Sequence, residues 1–222
     1  MPLPSEAQFG PEDFAEQADV SRETLARLKL YASMLKDWNA RQNLVSRGSL
    51  ETMWLRHFWD SAQLAQYIPT SATSLVDLGS GAGFPALVLA EVLRGRGLRL
   101  VLYESTQKKQ EFLSAVARRL DLQIEIRPAR IEAARAEIFD VVTARACAPL
   151  PKLLDYAQAF WGPRTVALFL KGQNVGAELT AAHNCWTMEV SKYPSRSSSS
   201  GTVLEIRGLK RVAANRKGAR GS

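Results

Sequence analysis

Residues 75–85 read Leu-Val-Asp-Leu-Gly-Ser-Gly-Ala-Gly-Phe-Pro, and no other stretch of the chain is better suited to holding a ligand. An apolar run from Ser74 to Leu78 carries Asp77 and then breaks into Gly79, Gly81 and Gly83. Ala86 to Leu93 follows as an apolar pattern of helical length. A strand that ends in a glycine turn and enters a helix lets a ligand lie against bare backbone. Glycine supplies the left-handed dihedrals of such a turn and has no Cβ to block close approach. The third glycine arrives one residue earlier than in the dinucleotide fingerprint, and Phe84-Pro85 takes the next positions. Pro85 suits the first turn of a helix. Phe84 is a floor for an apolar or cationic cofactor edge, and Asp77 disfavours phosphates and suits an amino-bearing ligand.

In an open parallel sheet the ligand-binding residues follow the carboxyl ends of the strands. Glu104, after Leu-Val-Leu-Tyr, is placed to accept two hydrogen bonds from a ribose diol. Ile131, beside Glu132, is placed to flank an adenine ring. Arg145 and Lys171 end two further strand candidates and form a cationic rim for a polyanionic substrate. With Arg56, Arg127 and Arg130 they could line one phosphate track. His57, Asp60 and Ser61 stand at i, i+3 and i+4, hence on one helical face. On the residues alone that face reads first as a polar seam tying helices to the sheet, with a nucleic-acid contact or a lid over the ligand as the other reading. Trp54, Phe58 and Trp59 read as core rather than as base-stacking surfaces, and Cys147, among small apolar residues, reads as packing.

The elements that must position these groups can be traced along the chain. Residues 1–20 are acidic and read as a flexible N-terminus. Residues 21–73 form a helical section, with Leu25, Leu28, Ala32, Leu35 and Trp38 at helical spacing and a second helix from about Glu51 to Tyr67. Residues 74–210 alternate strands (Ser74–Leu78, Arg99–Glu104, Gln123–Pro128, Phe139–Ala144, Thr165–Leu170) with helices near 85–94, 108–120, 131–137 and 151–160. Cys185–Tyr193 and Thr202–Arg207 are joined by Pro-Ser-Arg-Ser-Ser-Ser-Ser-Gly, which reads as a mobile connection in a closing antiparallel hairpin. The architecture is therefore α/β: a mostly parallel seven-stranded sheet with a closing hairpin and an N-terminal helical extension. Residues 211–222 read as a basic flexible tail, part of a run of bases from Arg207 to Arg220 suited to a polyanion.

The 222 residues carry a net charge of +7 and are 46% hydrophobic, enough for one generous domain with a proper core. No run approaches the ~18 apolar residues of a membrane span. The N-terminus lacks the basic and apolar regions of a secretory signal. The two cysteines show neither metal-ligand nor redox spacing. A cytoplasmic protein without disulfide, metal or membrane partner is expected, acting as a monomer.

The segments Asn43-Leu44-Val45, Arg56-His57-Phe58-Trp59-Asp60-Ser61, Asp77 to Pro85, Glu104-Ser105 with Lys108-Lys109, Arg145-Ala146, and Lys171-Gly172 with Glu178 together resemble the RsmG family, also called glucose-inhibited division protein B. The resemblance runs from Asn43 to about Lys210. It implies a Rossmann-like class I methyltransferase that uses S-adenosyl-L-methionine to modify guanine N7 in small-subunit (16S) ribosomal RNA, free or in the ribosomal subunit. The implied cofactor positions are Gly79, Phe84, Ile131, Glu132 and Arg145. Arg145 and Lys171 are expected to position substrate, and Arg56, His57, Arg130 and Lys171 to meet RNA. Two departures stand out: Ala86 where glycine is usual, and the serine-rich loop at 195–201. Guanine N7 has a free lone pair and no proton, so in-line displacement at a sulfonium requires no general base. The alternatives are a different methylated RNA atom, a nicotinamide oxidoreductase, and an RNA-binding protein without turnover. Thr143-Ala144-Arg145-Ala146 lacks the Pro-Pro turn usual for methylating an adenine amine.

Overall fold

A computed structural model of the chain describes residues 9–212. The sheet has seven strands in the order β3-β2-β1-β4-β5-β7-β6. These are β1 (Ser74–Leu78), β2 (Arg99–Tyr103), β3 (Ile124–Arg127), β4 (Val141–Arg145), β5 (Val166–Lys171), β6 (Trp186–Pro194) and β7 (Thr202–Arg211). The first five run parallel, and β7 is antiparallel to both β5 and β6. β1, β4 and β5 are buried almost throughout, as a central sheet covered on both faces requires. The chain goes from β1 to β2 on one side and returns to β4 on the other, so the topological switch point lies between β1 and β4. Asp140 fixes that junction by accepting hydrogen bonds from the backbone and hydroxyls of Thr73 and Ser74.

The N-terminal section is helical: α1 (Pro11–Ala18), α2 (Arg22–Asn39) and α3 (Arg47–Glu51), then a wide i→i+5 turn over Trp54–Trp59, α4 (Asp60–Ala62) and a 3₁₀ turn over Gln63–Tyr67. Helix α5 (Ala86–Val92) follows β1, and α6 (Gln107–Arg119), α7 (Leu150–Ala157) and α8 (Val175–His183) complete the set. Apolar all round, α5 is buried on every side, because α2 and α4 cover the face turned away from the sheet. Its one charge, Glu91, has no exposed side-chain surface and is held at 2.9 Å by both Arg27 and Arg94. Glu91→Ala should cost about 1–3 kcal/mol in urea unfolding, since both arginines can turn outward to water while the helix contact is lost.

Several expectations are corrected here. The acidic N-terminus is not a loose segment throughout: Pro11–Ala18 is a helix, with Asp13 accepting the Gly10 amide and Phe14 wholly buried against Trp54 and Phe58. The second helix begins at Arg47, where Ser46 caps it, and the segment is not one uniform helix. Only Ile131–Ala133 is helical in the 131–137 stretch. Helix α8 was missed because Val175–His183 is small and weakly patterned. Strand β7 runs on to Arg211, which pairs with Asp155 and stacks over Trp186, so the basic run is partly sheet. Arg216, Lys217 and Arg220 of the expected tail lie outside the described residues, as do residues 1–8. Among the described residues no helix is long and apolar enough to cross a membrane.

Candidate functional site: two cavities meeting at the end of β4

Gly79, Gly81 and Gly83 all take positive φ, at 70°, 57° and 94°, which allows the chain to fold back sharply between β1 and α5. Their duties differ. A Cβ on Gly79 would sit 2.8 Å from Cys147 Sγ, so glycine lets the turn pack against Cys147 at the edge of the smaller cavity. Gly81 donates its amide to Glu104 Oε2 at 2.9 Å. Gly83 is a packing residue: a Cβ there would meet Leu87 at 2.5 Å and the Tyr31 hydroxyl at 2.8 Å. Tyr31 of α2 donates to the Ala82 carbonyl and stacks on Phe84, so the helical extension braces the glycine turn from below. Tyr31 was missed, although it lies three residues after Leu28 on the apolar face of α2.

Glu104 is 6% exposed and ends β2 beside this turn. Its Oε1 accepts the Thr106 amide at 2.7 Å, and Gln110 holds its carbonyl at 2.8 Å. Each carboxylate oxygen therefore has one backbone donor and one lone pair to spare. A cavity of about 280 Å³ opens here, lined by Gly79, Glu104, Ile131, Glu132, Cys147 and Tyr156 among others. Glu132 is exposed and held by the Tyr156 hydroxyl at 2.7 Å, which draws its carboxyl below the usual range. Burial, then Asp77, Glu104 and Glu132, push the Cys147 thiol up to about 11, which leaves it neutral and non-nucleophilic. Cys147→Ala should keep its rate of methyl transfer, measured beside its inertness to alkylation at neutral pH.

Of the expected cofactor positions, Asp77, Gly81, Gly83, Phe84 and Arg145 do not line this cavity. Phe84 is 3% exposed, and its ring is taken up by Tyr31, His57 and the Arg145 guanidinium 5.0 Å from its centroid, so it is a wedge and not a ligand floor. Asp77 is fully buried, accepts from the Thr143 hydroxyl at 2.7 Å, and leaves Oδ2 without a partner among the described residues. Burial raises its carboxyl to about 6, outweighing the bonds from Ser80 and Thr143. A folded value above the unfolded one means that stability falls as pH rises from about 4 to 6 and is then level. Asp77→Asn should therefore be the more stable protein at pH 7, by about 2–3 kcal/mol, with the advantage gone below pH ~4. Thermal unfolding across that range checks it. A carboxylate retained at such a cost is the kind of group a cationic ligand explains.

A second cavity, of about 490 Å³, lies on the other side of the β4 end. Ala146 lines it while the next residue, Cys147, lines the first, and Ala146 takes φ 48° at this divide. Arg145 is its centre. The guanidinium Nη1 donates to the Arg56 carbonyl at 2.9 Å and to His57 Nδ1 at 2.8 Å, and stands 3.6 Å from Asp60. Arginine has only protons to give, so Nδ1 accepts and the His57 proton rests on Nε2. Burial, then Arg145 and Arg56, push His57 down to about 3, so it is neutral at physiological pH. Its Nε2 has no partner among the described residues.

The expected RNA contacts are redistributed. His57 is 7% exposed, stacks on Phe84 and meets Arg145 beside Asp60, so it forms part of a polar seam at the wall of the larger cavity. Lys171 is not a free rim cation: it is nearly buried, pairs with Glu178 at 2.6 Å and donates to the Ala148 carbonyl. Arg127 is held by Glu125 and Glu137. Arg56 is exposed at the mouth of the larger cavity, whereas Arg130 borders the smaller one. Phe58 and Trp59 are core, as expected, and Trp59 Nε1 donates to the Arg196 carbonyl. The serine loop, expected to be mobile, instead closes the cavity, with Ser195 and Ser197 buried.

Comparison with known proteins places this geometry. Residues 24–203 match the family model described as rRNA small subunit methyltransferase G. A protein named ribosomal RNA small subunit methyltransferase G from Parvibaculum lavamentivorans is 47% identical over 201 residues, 89% of each chain. Its namesake from Caulobacter vibrioides is 40% identical over 96% of this chain and 98% of its own. A solved SAM-dependent methyltransferase from Aquifex aeolicus shares the fold, with a TM-score of 0.56 at 12% identity, over 76% of this chain and 97% of that one. With the family model covering most of its length and the relatives nearly all of it, the chain belongs to the ribosomal RNA small subunit methyltransferase G family.

Proposed function

We propose that this protein methylates N7 of a guanine in small-subunit ribosomal RNA, with S-adenosyl-L-methionine as donor. The observation that carries the reading is the pair of cavities meeting at Arg145–Cys147, one shaped by glycine and a carboxylate, the other bordered by arginine and hydroxyl groups. The cofactor supplies a methyl group on a sulfonium, already activated for displacement. Glu104 would hold its ribose through the two spare lone pairs, Gly79 would present bare backbone at the cavity edge, Ile131 would flank its base, and Asp77 would add negative charge beneath the turn. Glu132 lies at the cavity edge, where Tyr156 fixes it.

The chain's remaining work is positioning. Arg145 is clamped from three sides, so its charge is available at a fixed place without reorganisation. The acids of the larger cavity are engaged: Asp60 by Ser197 and Gln63, Glu178 by Lys171 and the Leu150 amide. His57 is neutral with its acceptor nitrogen occupied. Such a site suits a nucleophile that carries no proton, as guanine N7 does. Holding the reacting atoms ~3–3.5 Å apart is then the main source of rate.

Transfer of tritium from labelled cofactor into small-subunit RNA of a strain lacking this protein tests the reading, with the modified position mapped by N7-selective cleavage. No incorporation into free RNA or subunits rejects it, and label at another atom replaces the target.

A further inference from the structure

We infer that the turn from Ser195 to Thr202 is the RNA-facing wall of the larger cavity, and that Asp60 and Gln63 are the positioning residues that fix it there. The inference rests on the proposed reading of that cavity and adds the element which recognises the substrate.

A serine-rich hairpin turn has no local reason to be rigid, since it carries little apolar surface to bury. Here, however, Ser195 and Ser197 are 6% and 4% exposed. Asp60 Oδ1 accepts the Ser197 hydroxyl at 2.5 Å. Gln63 Nε2 donates to the Ser195 hydroxyl at 3.2 Å while Gln63 Oε1 accepts the Arg196 amide at 2.8 Å. The Trp59 ring nitrogen takes the Arg196 carbonyl, and the Arg196 guanidinium reaches Gln66. Every anchor comes from residues 59–66, which hold one side of the cavity, and every anchored group comes from the β6–β7 connection.

The turn has two kinds of serine. Ser195, Ser197, Ser198 and Ser200 all line the cavity beside Thr202, but the hydroxyls of the first two are engaged by Gln63 and Asp60. Among the described residues those of Ser198 and Ser200 meet only each other, at 3.4 Å, with Ser200 exposed. Asp60 also stands 3.6 Å from Arg145 Nη1, so one carboxylate sets the spacing between the arginine and the hydroxyl wall. Hydroxyls that line one cavity with Arg56 are suited to the sugar–phosphate of a nucleotide drawn out of its strand, where serine and threonine commonly contact phosphate. Recognition of the backbone on this wall would leave the base edge free to face the donor side of Arg145.

The test is a pair of variants in the full-length protein, assayed with small-subunit RNA and with labelled cofactor. S195A/S197A removes the anchored hydroxyls, and S198A/S200A removes the two cavity-lining hydroxyls that the anchors do not hold. Both should raise the KM for RNA by about ten-fold, the size of one or two lost hydrogen bonds, with cofactor Kd unchanged. Restoring Ser197 alone to the first variant should recover part of the loss. Unchanged KM in S198A/S200A overturns the inference, as does a parallel loss of RNA and cofactor affinity in S195A/S197A, which marks the turn as merely structural. If S195A/S197A does not fold, S198A/S200A decides alone. A wild-type protein inactive on RNA, by contrast, defeats the proposed function itself.

Discussion

Glu104→Ala should weaken S-adenosyl-L-methionine binding by about a hundred- to a thousand-fold, the effect of two lost hydrogen bonds to a charged acceptor. The carboxylate organises its surroundings before any ligand arrives. It joins the Gly81 amide in the turn after β1 to the Thr106 amide before α6, at 2.9 and 2.7 Å. Alanine removes the proposed ribose acceptor and leaves the Gly81 and Thr106 amides without theirs. Glu104→Gln tests the account from the other side. Its size is right, but its amide nitrogen must face one of the two donors, so the loss should be intermediate. RNA affinity should survive in both, because Arg56, Arg145 and the serine turn line the other cavity. Calorimetry with the cofactor and filter binding with RNA separate the two. A folded Glu104→Ala protein that binds cofactor within a few-fold of wild type overturns the assignment.

Arg145→Ala should lower turnover by at least about a hundred-fold and cost about 3–5 kcal/mol of stability, the penalty for leaving the partner of a buried ion pair alone. The side chains of Arg145 and Asp60 are each only 18% exposed, so water cannot readily replace the lost partner. Burial holds the Asp60 carboxyl above the usual range even with Arg145 beside it, and losing that cation raises it further. The sign follows. A folded value above the unfolded one favours the folded state at low pH, so the variant's deficit should shrink on acidification through the carboxylate range. Arg145→Lys should not rescue turnover. An ammonium keeps the charge but cannot hold the Arg56 carbonyl, His57 Nδ1 and the Phe84 face together as a planar fork does. Denaturant unfolding at several pH values, with single-turnover methyl transfer, checks both parts. Full activity in Arg145→Lys would show that charge alone matters.

Much of this site could be read from the chain because it depends on the backbone. Gly79 and Gly81 declare themselves wherever a turn needs positive φ, and Glu104 follows a strand whose apolar pattern is unmistakable. The parallel sheet follows from the alternation of short apolar runs and helices, and the closing hairpin from two strand-like runs with no helix between them. The strand order is seen only in the structure. Side-chain pairing was another matter. Lys171 and Glu178 stand seven residues apart, yet only the packing of α8 against α7 and β6 makes them an ion pair. His57 looked like an RNA contact until the wide turn and Phe84 enclosed it.

The sequence by itself determined the α/β alternation, the glycine turn after β1 and the acid just after β2, since each is set by neighbours along the chain. Tertiary structure alone decided that Phe84 is a wedge, that Tyr31 braces the turn, and that a run of serines becomes a fixed wall. Those outcomes depend on which surfaces meet across the fold, where burial and partner geometry outweigh local composition.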